Sequence, residues 1–178
     1  MTSADAALLI ERWVRPIPDW PEPGVTFRDI TPLLAQPDAF ASIVEAMAAA
    51  GEELGPVDAV LGIEARGFIV GAPVALRLGA GFVPVRKAGK LPHDTLSISY
   101  ALEYGEATVE IHADALNAGD RVLVVDDVLA TGGTLEAAAA LVAQAGASVA
   151  GHVVAIELPA LGGRARLGDI PLRSLATF

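Results

Sequence analysis

Helical and strand-like spacings of apolar residues alternate along most of the chain. Between Phe40 and Met47 the apolar side chains recur at helical intervals, so a core-facing helix is predicted from Pro37 to about Glu53. Continuous apolar runs typical of buried strands occupy residues 58–63, 81–85, 121–125 and 148–156, and further helical patterns start at Gly67 and Gly133. Strands that alternate with helices of this length indicate an α/β fold with a mostly parallel sheet and helices on both faces.

Two segments depart from this alternation. Residues 95–112 place apolar residues at every second position on either side of a turn signal at residues 104–106, which predicts an exposed antiparallel hairpin or a mobile loop. Residues 16–24 are rich in proline and cannot be helical, because each proline removes a backbone donor and restricts the residue before it, so an extended arm is predicted. No repeat, linker or like-charge run divides the sequence, and we expect one domain, residues 1–178.

Composition excludes several classes of protein. A chain without cysteine has no disulfide, no thiolate metal site and no thiol nucleophile. The formal net charge of -10 disfavours nucleic acid and anionic membranes as partners, because polyanions bind concentrated basic surfaces. Residues 1–15 lack the basic start and continuous apolar run of a signal peptide, so a cytoplasmic location is expected.

One long uncharged stretch, residues 137–156, matches the length of about 20 residues that spans a membrane. A break at Ala145-Gly146 divides it, and the apolar pattern changes there from helical spacing to a run rich in valine. A helix, a turn and a buried strand are therefore predicted, and no membrane is expected as a partner.

Residues 122–134 contain the most informative motif: an apolar strand, two acidic residues, a loop of small residues and the start of a helix. Gly132 and Gly133 let backbone N–H groups approach an anion closely, and the hydroxyls of Thr131 and Thr134 add donors. The positive end of the helix dipole also favours an anion here. We therefore predict a phosphate site in residues 130–134, termed the phosphate cradle. The motif lacks the Gly-Lys-Ser/Thr ending of a Walker loop.

Asp126 and Asp127 stand shortly before the cradle. Two carboxylates would repel a phosphate unless they meet hydroxyl groups or a cation. A ribose supplies two neighbouring hydroxyls within reach of its own 5-phosphate, so a sugar phosphate is the predicted ligand. Successive strand residues point to opposite faces of a sheet, so both carboxylates can contact one ribose only if the chain is already turning at Asp127. The alternative is a solvated strand end followed by an ordinary helix cap.

This motif resembles the binding motif of the type I phosphoribosyltransferase family for PRPP (5-phosphoribosyl 1-pyrophosphate). Segments at residues 23–32, 62–68, 86–92 and 99–105 also match the adenine-using members of that family, in order. The resemblance implies a mostly parallel central sheet flanked by helices, with a flexible antiparallel lid hairpin. It also implies a small N-terminal hood, residues 1–35, that contributes to the base site. The implied reaction is transfer of the phosphoribosyl group of PRPP to adenine, giving AMP and pyrophosphate in purine salvage, through an oxocarbenium-like transition state.

The resemblance also assigns roles to individual residues. The catalytic group would comprise Glu103, which interacts with adenine N7, and the carboxylates Asp126 and Asp127, which hold the ribose hydroxyls. The residues implied to bind PRPP or AMP are Arg66, Arg86, Lys87, Lys90, His93, Tyr104, Ala130, Thr131, Gly132, Gly133 and Thr134. For His93, a bystander position in the same loop is an equal alternative.

The base site, the metal and the assembly are implied in the same way. Adenine would stack on Phe27, with Leu158 on its other face and the backbone around Arg28 at its edge. Mg²⁺ would be held mainly by PRPP and would have no direct protein ligand, so Asp126 or Asp127 would act through water. The resemblance further implies a homodimer, and a non-proline cis peptide next to Arg66.

Two alternatives stay open at this point. Enzymes that use orotate, xanthine, hypoxanthine, guanine or uracil share the phosphate motif, although residues 27–29 and 102–105 favour adenine. A non-catalytic regulator could keep the fold and use PRPP as a signal for binding nucleic acid. The acidic net charge and the intact Glu103 loop count against this regulator.

Overall fold

The computed structural model describes residues 3–101 and 105–178. The helices in this part of the chain are α1 (Ser3–Trp13), α2 (Thr31–Leu34), α3 (Pro37–Glu52), α4 (Arg66–Leu78), α5 (Gly133–Gln144) and α6 (Gly163–Arg166). The strands are β1 (Arg15–Ile17), β2 (Phe27–Asp29), β3 (Ala59–Ile63), β4 (Gly81–Lys87), β5 (Thr95–Ala101), β6 (Glu106–His112), β7 (Arg121–Leu129), β8 (Ser148–Glu157) and β9 (Leu172–Thr177). A short 3-10 helix, Pro159–Leu161, follows β8.

A seven-stranded sheet in the order β5-β6-β4-β3-β7-β8-β9 forms the centre of the fold. The pairs from β4 through β3, β7 and β8 to β9 are all parallel, whereas β6 runs antiparallel to both β4 and β5. The predicted α/β fold with a mostly parallel sheet is confirmed, and so is the antiparallel hairpin, formed by β5 and β6. Because β3 and β7 are parallel neighbours, the segments that follow them lie at the same edge of the sheet.

Helices cover both faces of this sheet. Side chains of α1, α3 and α4 pack with Leu123 and Val125 of β7 in one buried cluster. On the opposite face, α5 packs with Val122 and Val124 in a second cluster. Burial on both faces explains why β7 has an unbroken apolar run rather than an alternating pattern.

Strand β7 is longer than its apolar run. It continues from Arg121 through Asp126 and Asp127, because its parallel pairing with β8 extends as far as Leu129 opposite Glu157. The expected strand end at residue 125 was therefore too early. Backbone pairing with β8 extends the strand beyond Val125, where the continuous apolar run ends.

The N-terminal segment begins with α1, which the sequence patterns did not reveal. This helix buries Ala6 and Ile10 completely, in the cluster that also contains α3. The proline-rich residues 16–24 contain no helix, as predicted. A short antiparallel pair, β1 with β2, follows α1 and forms a separate two-stranded sheet.

Asp29 fixes the end of β2. Its carboxylate accepts hydrogen bonds from the Thr31 hydroxyl at 2.6 Å, from the Thr31 backbone N–H at 2.9 Å and from the Arg15 guanidinium at 2.6 Å. These bonds, the Thr31 hydroxyl first, lower the pKa of Asp29 to about 2. The carboxylate therefore stays ionised at neutral pH and holds the chain on both sides of Phe27 and Arg28.

None of the described helices is long and apolar enough to cross a membrane. The uncharged stretch at residues 137–156 is divided between α5, which ends at Gln144, and β8, which begins at Ser148. The prediction of a helix, a turn and a buried strand is therefore confirmed.

Candidate active site

A cavity of about 350 Å³ opens at the edge of the sheet where β3 and β7 end. Its volume lies within the range of roughly 300–1,000 Å³ that is usual for small-molecule sites. A smaller cavity of about 70 Å³ adjoins it and is lined by residues of the phosphate cradle. Thr134 belongs to the lining of both cavities. The predicted site residues that line the larger cavity are Phe27, Arg28, Arg66, Asp126, Asp127, Ala130, Thr134 and Leu158.

Asp126 and Asp127 both line the larger cavity although they are neighbours on a continuing strand. The chain does not turn at Asp127, because β7 continues to Leu129. Oδ1 of Asp126 accepts a hydrogen bond from the backbone N–H of Asp127 at 2.9 Å, so the Asp126 carboxylate is held close to its own strand.

Burial dominates the electrostatics of this carboxylate pair. Burial raises the pKa of Asp126 well above its ordinary value, and the neighbouring charge of Asp127 raises it further. Burial also raises the pKa of Asp127, although the Arg66 guanidinium opposes that shift. Hydroxyl donors or a cation placed between the two groups would stabilise both as carboxylates. A ribose diol and a divalent cation are ligands of this kind.

Arg66, the first residue of α4, lies between the carboxylates and an aromatic ring. Its Nε is 3.0 Å from Oδ2 of Asp127, and its Cζ is 4.9 Å from the centre of the Phe27 ring. Arg66 Nη1 and Asp127 Oδ2 are nevertheless buried without a hydrogen-bond partner. The contact between the two groups is therefore a charge contact and not a hydrogen bond. The implied cis peptide bond, between Glu64 and Ala65, is present.

Helix α5 begins at Gly133 without a side-chain cap. Its first backbone N–H groups therefore have no side-chain partner, and the positive end of the helix dipole lies at the cradle. Gly132 has a φ of 83°, a conformation that favours glycine. The geometry fits the predicted anion site at residues 130–134.

The cradle is supported from behind by Gly163, which the sequence patterns did not single out. A Cβ atom on Gly132 would lie 2.7 Å from the carbonyl oxygen of Gly163, and a Cβ atom on Gly163 would collide with the carbonyl oxygen of Ala130. The backbones of the two loops thus touch where neither has a side chain. A glycine at position 132 is therefore needed for this packing. Adjacent glycines at 162 and 163 were the available sequence signal.

Phe27 and Leu158 belong to the apolar part of the cavity lining. The Trp20 ring meets the Phe27 ring edge-on, at an interplanar angle of 67° with 4.5 Å between their centres. The guanidinium of Arg28 stacks on Phe178 at 4.5 Å. The Trp20 ring therefore supports Phe27, and the Arg28 side chain contacts the C-terminal residue Phe178.

Glu64 organises the basic segment at the end of β4. Its Oε2 accepts a hydrogen bond from the Lys87 backbone N–H at 2.9 Å and pairs with Arg86 Nε at 3.0 Å. The backbone bond from Lys87 is the main reason why the pKa of Glu64 is lowered. The carboxylate therefore links this segment to the turn that precedes Arg66 and α4.

The remaining predicted contacts lie apart from the cavity lining. Lys87 and Lys90 are exposed, and neither lines the two cavities described above. His93 accepts a hydrogen bond at Nδ1 from the backbone N–H of Asp94 at 2.7 Å, and its ring faces His112. The predicted catalytic Glu103 and its neighbour Tyr104 lie outside the described residues.

Within residues 3–101 and 105–178, no group of three or more histidine, aspartate or glutamate side chains could hold a metal ion. Asp126, which is partly buried, and Asp127, which is buried, offer two adjacent carboxylates that suit a hard cation such as Mg²⁺, which takes its other oxygens from ligand and water. The donor set therefore fits a cation carried in with a phosphorylated ligand.

Comparisons with known proteins identify the family. The model of the phosphoribosyl transferase domain family matches residues 30–170. The adenine phosphoribosyltransferase of Thermobifida fusca is 59% identical over 177 residues, which cover 98% of this chain and 99% of the relative.

Solved structures agree. The adenine phosphoribosyltransferase of Rhodothermus marinus superimposes with a TM-score of 0.92 and 48% identity, covering 98% of this chain and 99% of the other. The Saccharomyces cerevisiae enzyme, solved in complex with an imino-altritol bisphosphate and adenine, has a TM-score of 0.92 and 39% identity, covering 97% and 99%. The chain therefore belongs to the adenine phosphoribosyltransferase family.

Proposed function

We propose that this chain transfers the 5-phosphoribosyl group of PRPP to adenine, forming AMP and pyrophosphate in purine salvage. One observation carries the proposal. A single cavity joins the apolar pair Phe27 and Leu158 to the carboxylates Asp126 and Asp127, and the phosphate cradle adjoins it. Base, ribose and 5-phosphate of a nucleotide need these three environments in this order.

The carboxylates and the cradle hold the sugar phosphate in this proposal. Asp126 and Asp127 accept hydrogen bonds from the two ribose hydroxyls, which relieves the cost of burying two adjacent charges. The backbone N–H groups of residues 131–134 bind the 5-phosphate at the start of α5, where the helix dipole favours negative charge. The ribose is thereby fixed at both ends, so its C1 atom is oriented towards the base.

Arg66 changes partners during binding. In the structure its guanidinium lies over Phe27 and beside Asp127. Adenine can stack on that face of Phe27 only after the guanidinium has moved. The pyrophosphate of PRPP supplies a stronger anionic partner, and the ribose hydroxyls replace the guanidinium at Asp127. Binding of PRPP therefore opens the position for adenine.

In the chemical step, the protein must stabilise the charges that develop on the ribose and on the leaving pyrophosphate. As the bond between C1 and pyrophosphate breaks, positive charge grows on the ribose and negative charge on the leaving group. Arg66, with help from Arg86, Lys87 and Lys90, stabilises the departing pyrophosphate, and Phe27 and Leu158 hold adenine for attack on the opposite face. His93 is a further contact candidate. Glu103 would interact with adenine N7, and Tyr104 would help to cover the bound nucleotide.

Mg²⁺ belongs to the proposal as a cation that would neutralise charge on the pyrophosphate. Asp126 and Asp127 would hold it through water or through the ribose hydroxyls. The N-terminal segment, residues 1–35, would act as a hood within the single domain, because β1 and β2 bring Phe27 and Arg28 to the cavity.

A homodimer in the cytoplasm completes the proposal. Ile69 and Leu76 of α4 are 43% and 83% exposed, and their seven-residue spacing places them on one side of the helix. Apolar side chains in such a position are suited to a subunit interface. A chain without cysteine depends on no disulfide and suits a reducing compartment. Light scattering at micromolar concentration should give twice the chain mass, and a monomer would contradict the assembly.

A panel of bases tests the proposed reaction. The purified protein should form AMP from adenine and PRPP, and chelation of Mg²⁺ should abolish that turnover. Guanine and hypoxanthine should be used far more slowly. Equal turnover of guanine and adenine would refute the base assignment. A lack of turnover with all bases, despite PRPP binding, would favour the non-catalytic alternative.

A further inference from the structure

Tyr100 connects the β5–β6 hairpin to the phosphate cradle. Its hydroxyl lies 3.3 Å from Oγ1 of Thr134, the second residue of α5. Its half-buried ring lies against Gly133, where a Cβ atom would be 3.3 Å from ring atom Cδ2. Glycine at the start of α5 therefore lets the tyrosine ring approach the first turn of the helix.

The hydrogen-bonding capacity of Thr134 determines how Tyr100 can act. The Thr134 side chain belongs to the lining of both cavities, so its hydroxyl can face a ligand. A threonine hydroxyl has one proton to donate and two lone pairs to accept with. Phosphate oxygens are acceptors. Thr134 can therefore donate to a phosphate and keep its bond to Tyr100 only if Tyr100 is the donor in that bond.

We propose that Tyr100 is a positioning residue of the 5-phosphate subsite. Its hydroxyl donates to Thr134 Oγ1 and so directs the Thr134 proton at the phosphate, and hydrogen bonds in such a chain strengthen one another. The inference rests on the proposed function, because it takes the cradle to be the 5-phosphate subsite. It also ties the position of β5 to phosphate occupancy. A ligand with a 5-phosphate restrains the hairpin, and pyrophosphate alone does not.

Tyr100→Phe removes the hydroxyl and keeps the ring against Gly133. Calorimetric titration with ribose 5-phosphate should show a loss of affinity of about fivefold, in line with the loss of one hydrogen bond. Affinity for pyrophosphate should stay within about twofold of the wild-type value. Ser99→Ala is the matched control, because it deletes a neighbouring hydroxyl of β5 that bonds Thr108 across the hairpin at 2.7 Å. This control should change neither affinity.

A double-mutant cycle tests the path through Thr134. In a Thr134→Val background, Tyr100→Phe should change ribose 5-phosphate affinity by less than about twofold, because the hydroxyl that it orients is gone. Thr134→Ser keeps that hydroxyl and should restore the full effect. Unchanged affinity in Tyr100→Phe overturns the inference, as does an equal loss for pyrophosphate or an equal loss in the Thr134→Val background.

The binding experiment needs no turnover, so its result is separate from that of the base panel. A protein that shows this coupling but forms no AMP keeps the Tyr100 inference and refutes the proposed reaction. A protein that forms AMP but lacks the coupling refutes the inference alone. Hydrogen exchange of the β5 amides should slow with ribose 5-phosphate and not with pyrophosphate, and this difference should be absent in Tyr100→Phe.

Discussion

Arg66 Nε lies 3.0 Å from Oδ2 of Asp127, so a cation proposed for pyrophosphate occupies the ribose side of the cavity. The same guanidinium covers one face of Phe27, the ring proposed to stack on adenine. In the free protein, the Arg66 side chain thus occupies space that is proposed for the ribose and for adenine. Its displacement links the binding of PRPP to the binding of the base.

Arg66→Gln should weaken PRPP binding by roughly 10- to 100-fold, because hydrogen bonds to charged groups contribute about 1.5–3 kcal/mol each. The pKa of Asp127 should rise further, since the Arg66 charge that opposes its shift is lost. Calorimetric titration with PRPP measures the first effect. Arg77→Gln is the control: this residue forms exposed ion pairs with Glu45 and Glu52, and its loss should leave PRPP affinity unchanged. Wild-type affinity in Arg66→Gln would remove Arg66 from the site.

Asp127→Asn should raise the KM for PRPP while the protein stays folded. The amide offers a weaker acceptor to a ribose hydroxyl, and its neutrality also relieves the repulsion that raises the pKa of Asp126. Steady-state kinetics and thermal unfolding measure the two outcomes. Asp169→Asn, at an exposed position, serves as the control. A KM for PRPP equal to that of the wild type would argue against ribose binding by this pair.

Gly163→Ala should distort the cradle although residue 163 is itself no ligand contact in the proposal. The new Cβ would collide with the Ala130 carbonyl oxygen, so the loop before α5 must shift. PRPP and AMP affinity should both fall, by roughly 10-fold or more, with a modest loss of stability. Gly81→Ala, where a Cβ would have 3.6 Å to its nearest neighbour, is the control. If Gly163→Ala binds AMP normally, the two-loop packing does not position the cradle.

His152 should make the fold sensitive to acid. It is completely buried on β8, and neither ring nitrogen has a hydrogen-bond partner. Burial lowers its pKa to about 4, below the value of about 6.5 in an unfolded chain. Between about pH 4 and pH 6.5 the unfolded state therefore binds more protons at this residue than the folded state does. Stability should fall as pH drops from about 6.5 to about 4, by at most about 1.4 kcal/mol per pH unit.

Urea unfolding at pH 7 and pH 5 measures this dependence. His152→Leu has no group to protonate, so it should lose less stability than the wild type between the two pH values. His93→Gln changes an exposed histidine and should behave like the wild type. Equal losses in wild type and His152→Leu would show that other groups set the acid limit.

The sequence predicted the parts of this fold that depend on periodic burial. Helix α3 and the five parallel strands bury regular apolar patterns, and four of those strands were predicted within a few residues. Helix α1 was missed because short side chains such as Ala6 give a weak apolar signal, although they fill the core. The end of β7 was misplaced because backbone pairing with β8, rather than apolar side chains, carries the strand through Asp126 and Asp127.

The sequence predicted which residues lie near the cavity better than it predicted which of them contact one another. The motif predicted residues 126, 127 and 130–134 as one set, and most of these residues line the two adjoining cavities. It could not reveal Gly163 or Tyr100, which approach the cradle from segments remote in sequence. Nor could it show that Arg66 pairs with Asp127, since that contact depends on how α4 begins beside β7.

The position of AMP in a crystal structure of the complex tests the central claim most directly. We predict adenine between Phe27 and Leu158, both ribose hydroxyls within about 3.2 Å of the Asp126 and Asp127 carboxylates or a bridging water, and the phosphate on the backbone N–H groups of residues 131–134. Arg66 should then lie away from the Phe27 face that it covers in the free protein. A nucleotide whose phosphate lies outside residues 130–134, or whose base does not touch Phe27, would contradict the account.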